Sequence, residues 1–290
     1  TSELLKRNYS VVVLDNLSSG KRENLKGVIN NFSFSFVEGD IRSKDKLNEA
    51  FQGADSIIHL AALVDITASV TDPFSTNDVN VNGMLNVLQE AVRQKAERLV
   101  FASSTAVYGD AKTSPIKEEA TVNPISPYAA SKLAGEAYCK AYEKSYGLST
   151  IVLRFFNVYG PRSQSNAYSG VITKFLQQAK NGNPLNIYGD GEQTRDFIHV
   201  RDIVEALIRA LETKEVNSET FNVCTGIPTS INKLAQAVQV ATKKDLQTIY
   251  APARLGEIKF SYGDGSKAQK KLGFKAKISL LEGLNSLIDH

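Results

Sequence analysis

Cysteine and histidine are scarce in this sequence. Two cysteines, Cys139 and Cys224, stand far apart, and the three histidines are His59, His199 and His290. None of them falls in the spacing of a metal site, so no metal is expected. So little cysteine fits a reducing, cytoplasmic setting. No apolar run reaches membrane-spanning length, which argues against a membrane partner. No block of like charge occurs either: 34 Lys and Arg against 31 Asp and Glu leave a net charge of +3, dispersed along the chain. That pattern argues against nucleic acid as a partner. There is no internal repeat and no low-complexity segment. With 290 residues, 42% hydrophobic and 22% charged, the chain has the make-up of a globular protein of one or two domains.

Short apolar runs alternate with helical patterns through the first half. "SVVVLDN", "SFSFVEGD", "ADSIIHLAA", "ERLVFASS" and "LSTIVLRFFN" read as strands. "SKDKLNEAFQ", "NDVNVNGMLNVLQEAVRQK" and "SPYAASKLAGEAYCKAYEKSYG" carry apolar residues at helical spacing. Such alternation predicts an α/β protein with a doubly wound parallel sheet. Ligands of such sheets bind beyond the carboxyl ends of the strands, where Asp15, Asp40, Ala61 and Ser104 fall. After Asn157 the pattern turns irregular. Residues 1–157 are expected to form the nucleotide-binding domain, with 197–226 returning to its sheet. Residues 158–196 and 227–290 then form a smaller α+β domain.

One further element is missing. In dinucleotide-binding folds an acid ending the second strand, as Asp15 ends "YSVVVLD", accepts hydrogen bonds from the adenosine ribose and repels the extra phosphate of NADP; a plain turn-forming Asp in "DNLSSG" is the competing reading. The glycine loop that cradles the pyrophosphate belongs about 20 residues upstream of that acid. This position precedes Thr1, which is not a methionine. The chain is therefore expected to begin inside a longer one, and the chain from Thr1 alone is expected to fold poorly and to hold NAD weakly.

The strongest chemical signal is "YAASK". Tyr128 and Lys132 stand four apart, so both lie on one helix face. A neighbouring ammonium favours a phenolate, which suits Tyr128 to general acid–base work. Taken alone, such a pair is a common surface feature. Its weight comes from "FASSTAVYG", which puts Ser103, Ser104 and Thr105 at the carboxyl end of a strand. A hydroxyl there can bind the oxygen that Tyr128 deprotonates.

The motifs "DNLSSGKRENL", "VEGDIR", "IIHLAA", "SSTAVYG", "SPYAASKLAGE", "RFFNVYGPR" and "TRDFIHVRDI" occur in one order from Leu4 to about Gly273. Together they resemble the extended short-chain dehydrogenase/reductases, the NAD-dependent epimerase/dehydratase family, and within it the UDP-galactose 4-epimerase group. The resemblance implies a Rossmann-type domain binding NAD and a substrate domain binding a nucleotide sugar. It implies that Asp15 and Asn16 contact the adenosine ribose and that Asp40 and Ile41 hold adenine. Leu60, Ala61, Ala62 and Asn80 would line the dinucleotide. Tyr128 and Lys132 would be the catalytic tyrosine and the lysine on the nicotinamide ribose, with Ser104 the active-site hydroxyl. Asn157, Arg195, Arg254 and Glu257 would hold the uridine diphosphate, a task suited to guanidinium groups. Arg162 reads as a surface residue. Val64 stands where some members carry a lysine near the cofactor phosphates, which puts one cofactor contact in question. The long helices "NDVNVNGMLNVLQEAVRQK" and "SPYAASKLAGEAYCKAYEKSYG" typically build a homodimer in this family.

Dehydratases of the family carry an acid pair, and decarboxylases a glutamate, in the motif matching "STAVYG". Thr105 and Ala106 offer no acid, which favours 4-epimerisation of UDP-glucose and UDP-galactose. The segment "RLGEIKFSYGD" places Ser261 at the wall beside the sugar C2, leaving room for N-acetyl forms. The competing expectations are another epimerase or dehydratase of the family, or a non-catalytic nucleotide-binding remnant if the chain truly starts at Thr1.

Overall fold

β-branched residues in "VVVLD" and aromatic residues in "FSFVE" favour extended backbone, and these runs form the first two strands of the structure. This computed structural model describes residues 1–163, 170–253 and 258–288. In chain order the first elements are α1 (Ser2–Lys6), β1 (Val11–Asp15), β2 (Phe34–Glu38), α2 (Lys44–Phe51) and β3 (Ser56–His59). Then come α3 (Ile66–Thr71), α4 (Pro73–Asn77), α5 (Gly83–Arg93), β4 (Arg98–Ser104), α6 (Pro127–Tyr146) and β5 (Ser149–Phe155). The chain continues through β6 (Asn157–Tyr159), α7 (Val171–Lys180), β7 (Leu185–Tyr188), β8 (Thr194–Arg195) and β9 (Phe197–His199). It follows with α8 (Val200–Glu212), β10 (Glu219–Val223), β11 (Thr229–Ser230), α9 (Ile231–Thr242) and β12 (Thr248–Ala251). The last described elements are β13 (Phe260–Ser261), α10 (Ser266–Leu272) and α11 (Leu280–Ile288).

Two compact units divide these elements. The first holds residues 1–103, 126–153 and 207–220. Here β1 pairs in parallel with β2, Val11 opposite Phe34 and Asp15 opposite Glu38. β3 pairs in parallel with β4, Ser56 opposite Arg98 and His59 opposite Phe101, in a sheet of order β10-β5-β4-β3. Six of the seven residues of β4 are buried, from Arg98 to Ser103. Burial on both faces of a strand requires cover on both sides, as in a doubly wound sheet. The cover comes from amphipathic helices. Met84, Val87, Leu88 and Ala91 are the buried stripe of α5 at three- and four-residue spacing. They join Leu47, Phe51, Ile57, Leu99, Phe101 and Cys139 in one core.

The sequence pattern runs on without a break from Asp78 into α5, but the backbone does not. Residues Asp78–Asn82 form a π-helical turn, which inserts one extra residue per turn. Asn80, 3% exposed at its centre, supplies the reason. Its Oδ1 accepts from Leu63 N at 2.7 Å, and its Nδ2 donates to Leu63 O and to Ser131 Oγ, both at 2.9 Å. Two short helices, α3 and α4, occupy 66–77, where the sequence shows no periodic pattern. Asp65 and Asp72 start them, accepting from Ala68 N and Ser75 N.

The second unit holds residues 104–125, 154–206 and 221–290. Its strands form small sheets, β11-β8-β13, β12-β7 and β6-β9. Its core gathers Phe175, Leu185, Ile187, Leu234, Val238 and Leu284 from α7, β7, α9 and α11.

Candidate active site

Helix α6 shows how local sequence rules place chemistry. Ser126 caps it, accepting from Ala129 N, and Pro127 takes its first turn, where a missing N–H costs nothing. Gly147, at φ +73°, ends it in the left-handed conformation. Between these stops the buried positions are Tyr128, Ala129, Ser131, Lys132, Gly135, Glu136 and Cys139. Tyr128 and Lys132 thus lie on the stripe that faces the core. Lys132 is 4% exposed. Its Nζ donates to Ala102 O at 2.8 Å and stands 5.9 Å from the Tyr128 ring centroid. Burial strips water from the ammonium and lowers its pKa to about 8. His59 is buried as well; desolvation first, then the Lys132 charge, lower its pKa to about 3, so its ring is neutral. Ser103 donates to Glu136 Oε1 at 2.5 Å, a buried bond between β4 and α6.

At the carboxyl end of β1, Asp15 Oδ1 accepts from Leu17 N at 2.7 Å, which folds "DNLSSG" into a tight turn. Asn16 Nδ2 donates to Asp40 Oδ2 at 2.8 Å, so the predicted ribose and adenine ends meet. Arg42, which the sequence reading left aside, grips Asp40 through Nε and Nη2 at 2.9 Å and Asp78 through Nη1 at 2.7 Å. These bonds, the Arg42 side chain first, hold the Asp40 carboxyl well below the usual carboxylate range. Only the dense run of charge around "GDIR" could have pointed to it. Ile41 is buried against Gly83, where a Cβ would stand 2.5 Å from Ile41 Cδ1. After β3, Leu60 and Ala61 are exposed and Ala62 is half-buried. The bonds of Asn80 to Leu63 pin the segment that follows them. A carboxylate and not a cation stands at the end of β1. A carboxylate at this place can accept hydrogen bonds from the free ribose hydroxyls of NAD.

In the second unit Ser104 begins the turn Thr105–Tyr108, its Oγ accepting from Ala106 N at 3.1 Å. Asn157 lies on β6, its N–H bonded to Asp196 O at 2.9 Å. Arg195 and Ser261 are brought together as partners in the parallel pairing of β8 with β13. Arg195 Nη1 donates to Ile258 O at 2.8 Å. Next to it, Asp196 is fully buried, and its carboxylate accepts from Thr225 N and Oγ, Gly226 N and Gly263 N. Arg254 and Glu257 lie outside the described residues. No helix among the described residues is long and apolar enough to cross a membrane.

Comparison with known proteins gives this geometry a context. Residues 1–224 match the profile of the NAD dependent epimerase/dehydratase family. The chain is 38% identical to a putative UDP-glucose 4-epimerase of Methanocaldococcus jannaschii, across 99% of this chain and 92% of that one. It superimposes on the Thermus thermophilus UDP-glucose 4-epimerase solved with NAD, with a TM-score of 0.90 and 35% identity over 100% of this chain and 93% of that one. The UDP-N-acetylglucosamine 4-epimerase of Methanobrevibacter ruminantium, solved with UDP-N-acetylmuramic acid, gives 0.92 and 36% over 97% and 89%. Relatives at 32% identity include a UDP-glucuronate 4-epimerase of Thermodesulfobacterium geofontis, over 99% of this chain and 90% of that one. They also include a UDP-N-acetyl-alpha-D-glucosaminuronate decarboxylase of Bacillus cytotoxicus, over 99% and 91%.

Proposed function

From the premise that this chain belongs to the NAD dependent epimerase/dehydratase family, we propose that it interconverts UDP-glucose and UDP-galactose, and accepts their N-acetyl forms. It is an enzyme of the NAD-dependent nucleotide-sugar epimerase/dehydratase type, and NAD is its cofactor. The observation that carries the finer reading is the turn after β4. Ser104 is followed by Thr105 and Ala106, so the motif supplies a hydroxyl but no acid to expel water from a keto sugar.

In this reading Ser104 binds the sugar 4-hydroxyl and Tyr128 takes its proton. NAD, held by the first unit, would supply the redox chemistry, an exchange of hydride with the sugar C4. Tyr128 then gives the proton back. Lys132 keeps a positive charge near the tyrosine and binds the nicotinamide ribose. Asp15, Asn16, Asp40, Ile41, Leu60, Ala61, Ala62 and Asn80 serve the cofactor, which the first unit carries. Asn157, Arg195, Arg254 and Glu257 hold the uridine diphosphate while the sugar turns, and Ser261 borders C2. Two copies pair through α5 and α6; support comes from Ile66, Val70 and Phe74, exposed on the short helices that pack on α6.

Incubation of the protein with NAD and UDP-glucose, followed by proton NMR, tests this. UDP-galactose should accumulate to equilibrium with no net consumption of NAD. A 4-keto-6-deoxy product would mean a dehydratase instead.

A further inference from the structure

Phe101 entered the sequence reading only as part of a strand, yet it touches much of what surrounds Lys132. It is 2% exposed in the middle of β4. Lys132 Nζ stands over its ring, 5.1 Å from the centroid. The His59 ring stacks on it with centroids 5.8 Å apart and planes 18° from parallel. Gly135 gives it room: a Cβ there would stand 2.6 Å from Phe101 Cζ and 2.8 Å from Cε1. Neighbours on two elements therefore fix one ring, and that ring faces one cation.

We propose that Phe101 is a positioning residue for Lys132: its electron-rich face, held by His59 and Gly135, keeps the ammonium against the Ala102 carbonyl and beside Tyr128. This rests on the reading above, in which Lys132 serves the proton transfer of Tyr128. A buried ammonium has lost most of its hydration, and the hydrogen bond of Lys132 to the Ala102 carbonyl uses one of its three donors. The negative face of an aromatic ring offsets part of that loss through charge–quadrupole attraction, and does so without a titrating group. The other ionisable groups on the buried stripe of α6 are Tyr128, Glu136, which is bonded to Ser103, and Cys139. On β3 there is His59, neutral throughout the alkaline range. Residues 99–104 of β4 contain none.

The distinction to be tested is between an electrostatic seat and plain packing. Mono-, di- and trifluorinated phenylalanine, placed at position 101 alone in the full chain, weaken the ring quadrupole with little change of shape. The Lys132 amine is titrated in each by carbon-13 NMR of labelled lysine, its signal assigned by loss in Lys132→Arg. A seat stabilises the charged form. The titration midpoint should therefore fall stepwise with fluorination, by about half a unit at the trifluorinated ring. Phe101→Leu should move it in the same direction. A midpoint that stays level across the fluorinated series overturns the proposal. The titration needs neither NAD nor turnover. Failure of the epimerase reading would appear separately, as unsubstituted protein that converts no UDP-sugar while the series still slopes.

Discussion

His59 is obliged to stay neutral inside the core of the first unit. Its folded pKa, lowered to about 3 by burial and then by the charge of Lys132, lies below the ordinary value of 6.5. Between those values the unfolded chain binds the proton that the folded one refuses. Stability is therefore undiminished above pH 6.5 and declines as the pH falls toward 3. His59→Phe keeps a stacking ring and removes the titration. Urea denaturation should show the wild type losing on the order of 3 kcal/mol more than the variant between pH 6.5 and 3.5. Equal losses in the two proteins would assign the acid sensitivity to carboxylates alone. The same residue marks a limit of sequence reading. "IIHLAA" shows a strand with a histidine at its end, but its neighbours Phe101 and Lys132 come from positions 42 and 73 residues away. Tyr128 and Lys132 were readable as a pair because both stand on one helix, where spacing alone sets the shared face.

Among the elements, α8 ends on an unusual cap. Arg98, 6% exposed at the start of β4, donates through Nη1 to Ala210 O at 3.0 Å and Thr213 O at 2.7 Å. Through Nη2 it reaches Val216 O and Asn217 Oδ1, both at 3.0 Å. The last carbonyls of a helix carry partial negative charge and lack partners within it. A planar, rigid fork of five donors satisfies more of them at once than the three donors of an ammonium on a flexible stem. Arg98→Lys should lower stability by about 2–3 kcal/mol in urea denaturation with the slope unchanged; a loss below about 0.5 kcal/mol would mean that water takes over the cap. The long amphipathic helices were legible because their period repeats over many residues, and the five strands because each is a short apolar run between helical patterns. The π-helical turn at Asp78–Asn82 was not, because the extra residue is set by the bonds of Asn80 to Leu63 and Ser131, 17 and 51 positions away. Helices α3 and α4, of six and five residues, are too short for a period to register.

For the whole molecule, each unit has its own core, and the candidate residues divide between them. Tyr128, Lys132 and the cofactor set belong to the first. Ser104, Asn157, Arg195 and Ser261 belong to the second. The assignment of Arg254 and Glu257 came from family resemblance, and they lie outside the described residues. Phe74 is 86% exposed and Val70 63%, on helices that pack on α6. Sedimentation equilibrium should therefore give about twice the chain mass, and Phe74→Glu with Val70→Glu should move the equilibrium toward the single chain, because like charges meet across a two-fold axis. A wild type that sediments as one chain at all concentrations would remove the pairing.

Asp196 has a consequence in time. Its carboxylate holds the amides of Thr225, Gly226 and Gly263, and its own carbonyl holds that of Asn157. Segments far apart in the chain thus share one knot. None of the three amides on the carboxylate can open to deuterium while the carboxylate stays in place, and its departure frees them together. Their isotope exchange should then follow one common clock.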